Sequence, residues 1–204
     1  ALERAGYRIQ LNGAVATPRL TLPDLPDWPW GDIAIGGTVT LTPALRLDIE
    51  QVTVTGRDLA LTAEGPLDLD SVSGSLAVTL DGHLPALPGI AEVPLGLVLS
   101  GQADLGADGA LATRFDATVT GAEALPDGLG ALLGPAVTLG GAVDLAANGD
   151  LVLDQVALRA AGASVTLDGR YGAAGVDLAW QATVADLAAL APLGVSAGGA
   201  AELQ

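Results

Sequence analysis

The chain has 204 residues, half of them hydrophobic, but its only aromatic residues are three Trp, two Tyr and one Phe, and it has no cysteine. All eight basic residues are arginine, and the formal net charge is -16 at pH 7, which would repel nucleic acid phosphates and anionic lipid headgroups. These values exclude a disulfide framework and a P-loop, which needs a lysine, and they argue against nucleic acid as a partner.

Alternation of apolar and polar residues with a period of two runs along most of the chain and predicts strands with one apolar face. In chain order, the apolar phases are Tyr7, Ile9, Leu11 and Val15; Leu45, Leu47 and Ile49; Leu76, Val78 and Leu80; Leu95, Leu97 and Leu99; Leu111, Phe115, Ala117 and Val119; Ala163, Val165 and Leu167; and Val176, Leu178, Trp180 and Val184. We expect roughly 14 to 16 strands of about five or six residues each.

The stretch LPDLPDWPWGD predicts a connection rich in Pro and Trp near residues 23–32. It is either a rigid connection whose Trp28 and Trp30 cap an exposed end of the sheet or a docking site for a partner. Two segments, AEALPDGLGALLGP and ADLAALAPLG, predict a turn or two of helix, so helix is a minor component. The first segment places a possible sub-boundary near residues 122–135.

Turn signals and phase slips predict how the strands are joined. Four dipeptides that accept positive φ predict tight antiparallel hairpins: Asp81-Gly82, Asp108-Gly109, Asn148-Gly149 and Asp168-Gly169. Sequences such as Leu99-Ser100-Gly101 and Val119-Thr120-Gly121 predict strand ends. The apolar phase changes parity at Glu50-Gln51 and again at Asp154-Gln155, and each change predicts a β-bulge or a short turn.

The predicted fold is all-β, a long antiparallel sheet in which consecutive strands are neighbours. A single sheet of about 15 strands would be about 70 Å wide, too wide to stay flat, so we expect it to curl over on itself. Residues 1–204 would form one elongated β segment of a longer protein. The longest uncharged runs, 128–143 and 187–201, contain Pro and Gly and are shorter than a membrane-spanning helix requires.

Motifs of known chemistry have weak matches, and we expect no enzyme activity, catalytic residue, cofactor or metal. The sequence GVSAG fits a nucleophile elbow with Ser196 as the nucleophile, but the residues after it do not predict a helix and the chain has a single histidine, His83. A hydrolase using Ser196 is one alternative. Calcium binding is another, because acidic residues recur at short spacing, although none has the spacing of a calcium loop: Asp24, Asp27 and Asp32, and Asp68 and Asp70.

The stretch LPDGLGALLGPAVTLGGAVDLAANGDLVLDQVALRAAGASVTLDGRYG, followed by DLAWQATVADLAALAP, resembles the TamB family of AsmA-like periplasmic proteins of Gram-negative bacteria. The resemblance covers about residues 74–204 and is one of composition and rhythm. It implies a β-taco, a long sheet bent into a U with an apolar inner groove. It also implies an anchor in the inner membrane outside this segment, a partner barrel, TamA, in the outer membrane, and a role in outer-membrane assembly.

The function implied by the resemblance is a periplasmic bridge along which phospholipids move between the two membranes, with their acyl chains on the apolar wall. From shared strand phase we expect nine residues to line that wall: Leu95, Leu97, Leu99, Phe115, Val119, Val165, Leu167, Leu178 and Trp180. The alternative is a structural β-solenoid or adhesin-like stalk whose apolar faces pack against each other and leave no groove for lipid.

Overall fold

The computed structural model of the chain describes residues 6–15, 32–84, 94–125, 129–173, 175–186 and 201–203. These residues form one all-β sheet with little helix. Its strands are β1 (Tyr7–Val15), β2 (Ile33–Leu41), β3 (Arg46–Thr55), β4 (Leu59–Asp68), β5 (Ser73–Leu84), β6 (Leu95–Leu105), β7 (Leu111–Thr120), β8 (Ala136–Leu145), β9 (Leu151–Arg159), β10 (Ala163–Gly172), β11 (Gly175–Val184) and β12 (Ala201–Leu203).

The strand order in the sheet is the order in the chain, so the 12 described strands form an antiparallel meander that does not close into a barrel. This confirms the predicted class and topology. Short turns at residues 42–45, 69–72, 106–110, 146–150 and 173–174 all lie at one end of the strands, here named the hairpin border. The longer connections, 16–32, 85–94, 121–135 and 185–200, leave from the opposite end.

The predicted strand length of five or six residues was wrong for most of the described strands, which have 9 to 12 residues, because several glycines taken as turn residues lie inside strands. Asp81-Gly82 belongs to β5, Gly101 to β6 and Asp168-Gly169 to β10. A glycine beside a small polar residue favours a tight turn, but glycine is also used where a strand bends or a neighbouring backbone comes close. Leu45, assigned to a strand phase, instead lies in a turn with φ 58°.

Two predicted hairpins and both predicted bulges are confirmed. Asp108-Gly109 and Asn148-Gly149 occupy equivalent turns, in which Gly109 and Gly149 have φ of 85° and 87°. The register shifts between Ile49 and Val52 on β3, and between Gly140 and Ala142 on β8 where it faces β9. The phase slips in the sequence therefore mark real insertions in the sheet.

The predicted helical segment between β7 and β8 is confirmed as a 3₁₀ turn at Ala122–Ala124 and a short helix, α1 (Leu129–Leu133). β7 and β8 pair from Leu111↔Leu145 to Thr120↔Ala136, so the sheet continues across the possible sub-boundary. The second helical segment, Ser196, and most of the connection near 23–32 lie outside the described residues. In the described part of the chain, no helix is long and apolar enough to cross a membrane.

The described strands form one sheet, and each makes most of its backbone contacts with its neighbours in that sheet. Accordingly, few apolar side chains are buried; those described are Val39, Leu95, Ala122, Leu132 and Ala157. None of the described large side chains is fully buried. A sheet face normally has to be covered by a second layer, so one apolar surface of this sheet is left without a partner among the described elements.

Candidate functional site

The strand register collects the apolar residues of every described strand on one side of the sheet, because residues directly opposite each other in an antiparallel pair share a face. One row crosses β1 to β11 without a polar residue: Gly13, Ile35, Val54, Leu61, Leu80, Leu99, Ala117, Leu139, Leu158, Val165 and Ala182. We name this side, with the strand residues that share its phase, the apolar face. At about 4.8 Å per strand, the row is about 50 Å long.

A second row follows the hairpin border of the same face and is apolar apart from the hydroxyls of its tyrosines. It consists of Tyr7, Leu41, Leu47, Leu67, Gly74, Leu105, Leu111, Leu145, Leu151, Tyr171 and Val176. This row is parallel to the first, and on β6 the two rows are six residues apart, at Leu99 and Leu105. The apolar-face positions between the two rows are aliphatic, aromatic or glycine apart from Thr113. The apolar surface is therefore continuous in both directions.

Side chains that could hold a polar ligand are nearly absent from the apolar face. Among its described residues only Thr113 carries an aliphatic hydroxyl, and this group donates a hydrogen bond of 2.8 Å to the carbonyl of Val143. Every charged residue of the described strands has the opposite phase and lies on the other side, the polar face. The apolar face thus offers contact area without fixed charges.

All nine residues predicted to line an apolar wall lie on the apolar face. Leu97 on β6 is opposite Val119 on β7, and Leu95 and Leu99 lie on β6 on either side of Leu97. Phe115 lies on β7, opposite Gly101. Leu167 is opposite Trp180, and the same two strands carry Val165 and Leu178. The nine form two groups, one on β6 and β7 and one on β10 and β11, and β8 and β9 join the groups into one surface.

Exposure of the apolar face is highest towards the two outer sides of the described sheet, at β1, where Tyr7 is 72% exposed, and at β10 and β11. Val165, Leu178 and Trp180 are 41%, 45% and 47% exposed, whereas Leu95 is 8% exposed. A solvent-exposed apolar surface of this extent is unusual in a soluble protein and marks a site of interaction.

Sequence reasoning named no apolar phase on β2 or β4, and none of the nine predicted wall residues lies on β1 to β5. Ile33, Ile35 and Val39 lie on β2, and Leu59 and Leu61 lie on β4. The alternation in IAIGGTVTL and LALTA carries the same signal as the later strands, so this part could have been found.

A line of glycines and β-bulges, which are elements that can bend a strand, crosses the sheet at about the middle of the strands. It contains mid-strand glycines on the apolar face and two-residue bulges on the polar face: Gly37, Glu50-Gln51, Gly65, Gly101, Gly141, Asp154-Gln155 and Gly169. We name this the bend line. Gly65, Gly141 and Gly169 have φ of 138°, 154° and 147°, a conformation that residues with a side chain rarely adopt.

The neighbouring backbone comes close to these glycines. A Cβ atom at Gly141 would lie 2.7 Å from Cα of Val156, beside the β9 bulge. At Gly169 a Cβ would lie 2.8 Å from Cα of Leu178. The bulge itself is held by Asp168, whose carboxylate accepts a 2.7 Å hydrogen bond from the amide of Gln155. Glycine is therefore required at these points by the contact between strands.

The aromatic residues in the described part of the chain also lie on the apolar face. Phe115 is opposite Gly101 on one neighbouring strand and Gly141 on the other, so its ring has two glycines beside it. Tyr171 and Trp180 lie near one edge of the sheet and Tyr7 near the other. Tyr and Trp suit positions where an apolar body meets water or a polar surface.

The polar face holds the ion pairs found among the described residues. Arg8 contacts Glu50 at 2.6 Å and Arg46 contacts Asp48 at 3.2 Å, and all four side chains are well exposed. A shallow hollow of about 530 Å³ lies over β7 to β10 beside Arg114, Asp154 and Arg159. Exposed ion pairs of this kind add little to the stability of the fold. We therefore interpret the polar face as the side of the sheet that is in contact with water.

Of the acidic residues considered for calcium, Asp68 and Asp70 belong to the turn between β4 and β5. Asp68 accepts hydrogen bonds of 3.0 Å from the amides of Asp70 and Ser71, and the Ser71 bond is the main cause that lowers the pKa of Asp68. Asp24 and Asp27 lie outside the described residues. Within the described ranges, no three His, Cys, Asp or Glu side chains come together as metal ligands. His83 is exposed in β5, on the polar face.

No protein-family model matches the chain, and no curated protein or solved structure matches it.

Proposed function

We propose that the apolar face binds phospholipid acyl chains and that the chain is part of a bridge along which lipids move between two membranes. The observation that carries this proposal is the apolar row from Gly13 to Ala182, which crosses β1 to β11 without a charge. A sheet face used as an ordinary core would be covered by a second layer. Here several side chains of the apolar face are well exposed, among them Val165, Leu178 and Trp180.

The energetics of lipid transfer suit such a surface. Each buried methylene is worth about 0.8 kcal/mol, so moving a 16-carbon chain from a bilayer into water costs on the order of 12 kcal/mol. A continuous aliphatic surface offsets much of that cost at every position along the row. The absence of strong polar binding groups then matters, because a group that held a lipid tightly at one point would stop its movement.

The bend line supports a trough in which the apolar face is concave. A glycine on the inner side of a bend removes a side chain where the strands crowd together, and a bulge adds a residue on the outer side. The glycines of the bend line are on the apolar face and the extra bulge residues are on the polar face, so both favour the same direction of curvature. The sheet would then have the U shape that the family resemblance implies.

The dimensions of the strands fit a single acyl chain. On β6, Leu95 lies six residues before Gly101 and Leu105 lies four residues after it. At about 3.3 Å per residue, the two arms are about 20 Å and 13 Å long, which is comparable to the hydrocarbon depth of one bilayer leaflet, about 15 Å. Acyl chains could lie between the arms with their headgroups at the strand ends.

The cellular setting of the proposal depends on the resemblance to the TamB family. By that resemblance the chain lies in the periplasm, in a protein anchored to the inner membrane by another segment. The outer-membrane barrel TamA would be its partner, through other parts of the protein. The role would be the supply of phospholipid to the outer membrane and hence the integrity of that membrane.

If the chain were instead a structural stalk, its apolar face would have to be covered by protein. A β-solenoid stacks successive coils, whereas the described strands run antiparallel and pair only with their sequence neighbours. Nothing in this arrangement favours a stalk over a lipid-binding sheet.

The proposal is tested by purifying the chain from the periplasm of a Gram-negative host in mild buffer and measuring bound phospholipid by mass spectrometry. We expect about one or more phospholipids per chain, and far fewer in a variant with Leu139→Asp and Leu178→Asp on the apolar face. The matched control, Thr138→Asp and Ala179→Asp, changes the adjacent residues on the polar face and should keep the lipid. A lipid-free wild-type chain, or equal lipid loss in both variants, would refute the proposal.

A further inference from the structure

The described sheet contains the same arrangement of strands twice, and equivalent residues of the two parts are 104 positions apart. Leu11 on β1 lies opposite Gly37 on β2, and Phe115 on β7 lies opposite Gly141 on β8. The same offset relates the pairing of β2 with β3 to that of β8 with β9, and the pairing of β3 with β4 to that of β9 with β10. Strands β1 to β4 are therefore equivalent to strands β7 to β10.

The special features of the backbone and the sequence itself repeat with this offset. The bulge at Glu50-Gln51 corresponds to the bulge at Asp154-Gln155. Gly65 corresponds to Gly169, and their φ values are 138° and 147°. Residues 36–65 align with residues 140–169 without a gap, and nine of the 30 aligned residues are identical. Sequence, register and backbone conformation thus agree that the two parts are repeats of one unit.

The repeated unit has six strands, because β5 and β6 also have equivalents. Leu99 on β6 lies opposite Leu80 on β5, and Leu203 on β12 lies opposite Ala182 on β11, so positions 99 and 203 keep the offset of 104. Only β5 and β11 depart from it, by two residues, because the turn between β4 and β5 is two residues longer than the turn between β10 and β11. The first unit is β1 to β6 and the second unit is β7 to β12, of which β12 is described over three residues.

The contact between the two units shows what the edge of β1 is built to accept. The units meet where β6 pairs with β7, over ten residue pairs. For this contact β7 uses the edge that β1, its equivalent, leaves unpaired in the described part of the chain. β1 contains no proline and one charged residue, Arg8, so it lacks most of the features that protect a sheet edge from pairing.

The register of β6 on β7, carried over to β1 by the offset, gives a complementary pairing for a second strand with the sequence of β6. Leu11 would lie opposite the glycine at position 101, as Phe115 does in the second unit. Arg8 would lie opposite the aspartate at position 104, a pair of opposite charges. Arg8 contacts Glu50 at 2.6 Å, but its side chain is still 65% exposed and is accessible to a further carboxylate.

From this complementarity we propose that the open edge of β1 docks the last strand of another protein unit of the same six-strand kind. That strand would be of the β6 type, which has apolar residues at alternate positions, a glycine in the middle and an aspartate three residues after the glycine. Antiparallel main-chain hydrogen bonds would hold it, and the facing side chains would select it. The apolar row would continue across the junction, because a leucine equivalent to Leu99 would lie beside Gly13.

The inference does not depend on lipid binding, because it concerns the edge of the sheet and not its apolar face. The test uses disulfide formation, since the chain contains no cysteine. Asn12→Cys is introduced on β1, opposite position 100 of the docked strand. The probe is a soluble synthetic peptide with the sequence of residues 95–105 and Ser100→Cys. The two are mixed in a glutathione redox buffer, and mass spectrometry measures the yield of mixed disulfide.

Two sets of controls test the site and the register. Thr138→Cys places an exposed cysteine on the polar face inside the sheet, and Ala179→Cys places one on β11. A peptide with Val98→Cys instead of Ser100→Cys has its cysteine two residues out of register. Asp104→Arg in the peptide should lower the yield with Asn12→Cys about two- to fivefold, because like charges then face each other, and Arg8→Asp in the chain should restore the yield.

We expect a high disulfide yield for Asn12→Cys with the Ser100→Cys peptide and a low yield for each control of site or register. Equal yields at Ala179→Cys, or an unchanged yield with a peptide that also carries Gly101→Val, would show unselective pairing and overturn the proposal. No disulfide at Asn12→Cys would overturn it as well. Self-association of the wild-type chain that Arg8→Asp abolishes would assign the edge to a second copy of this chain instead.

Discussion

Replacement of Val165 by aspartate tests whether the apolar face binds lipid acyl chains or is part of a closed protein core. Val165 lies on β10, opposite Leu158 on β9 and Ala182 on β11 in the apolar row, and is 41% exposed. About three fifths of its side chain is therefore covered. Since full burial of a valine is worth about 1.5 to 3 kcal/mol, loss of this contact should lower the free energy of unfolding by about 1 kcal/mol.

The effect on lipid passage should be much larger than the effect on folding. In the lipid-free chain the new carboxylate can reach water. When an acyl chain covers it, the carboxylate must lose water or displace the lipid, at a cost of several kcal/mol. Each 1.4 kcal/mol is a factor of ten, so lipid binding at this position should fall by at least tenfold.

Two controls separate this effect from a general response to an added charge. Thr166→Asp adds the same group one residue along, on the polar face, where Thr166 is opposite Ala157 and Gln181. Val98→Asp makes the same chemical change at a valine of the polar face that is 51% exposed, although Asp81 directly opposite adds about 0.2 to 1 kcal/mol of repulsion. Both controls should bind lipid as the wild type does.

The assay combines urea unfolding of the purified chains with the amount of phospholipid recovered from each at equal protein level. The reasoning is refuted if Val165→Asp and the two controls retain the same amount of lipid. It is also refuted if Val165→Asp lowers the free energy of unfolding by about 4 kcal/mol or more, since that value is typical of a closed core.

The remaining predictions concern the bend line, the turns and the aromatic residues. Gly141→Val should lower the free energy of unfolding by about 1 to 3 kcal/mol, because the added Cβ would meet the backbone of Val156. In the control Gly140→Ala the added Cβ meets mainly the movable side chain of Asp116, so this variant should lose less than about 1 kcal/mol. Urea unfolding measures both values. The hydrogen bonds that lower the pKa of Asp68 and Asp104 favour their ionised forms, so the stability that these groups contribute is present at neutral pH and is lost as pH falls below about 4; Asp68→Ala should reduce this loss in acid unfolding curves. In a chain with Trp28→Phe and Trp30→Phe, the fluorescence of Trp180 should be quenched by lipids brominated on their acyl chains. Unchanged fluorescence would show that the acyl chains do not bind near Trp180.

The face that each residue occupies could be predicted from the sequence, because the alternation of side chains in a strand is a local property. The phases of Leu97, Phe115, Val165 and Trp180 placed all four on one face, as the register shows. The bulges at Glu50-Gln51 and Asp154-Gln155 were predictable for the same reason. An inserted residue changes the parity of every apolar position after it.

The function of each glycine could not be predicted, because it depends on the neighbouring strand. Asp108-Gly109 and Asp168-Gly169 have the same local sequence, yet the first is a turn and the second lies within β10. The difference is that Asp168 accepts the amide of the β9 bulge and Gly169 gives room to Leu178. Only the pairing of the strands, which joins residues distant in the chain, shows this.

Site-specific crosslinking tests the central claim, that the apolar face carries acyl chains, most directly. A photoreactive benzophenone residue is placed at position 139 or 178 on the apolar face, and at position 138 or 177 on the polar face. The chains are irradiated in living Gram-negative cells, and phospholipid adducts are measured by mass spectrometry. The account predicts adducts at 139 and 178 and none at 138 and 177, all four residues being exposed. Equal adducts on both faces, or protein adducts alone at 139 and 178, would contradict it.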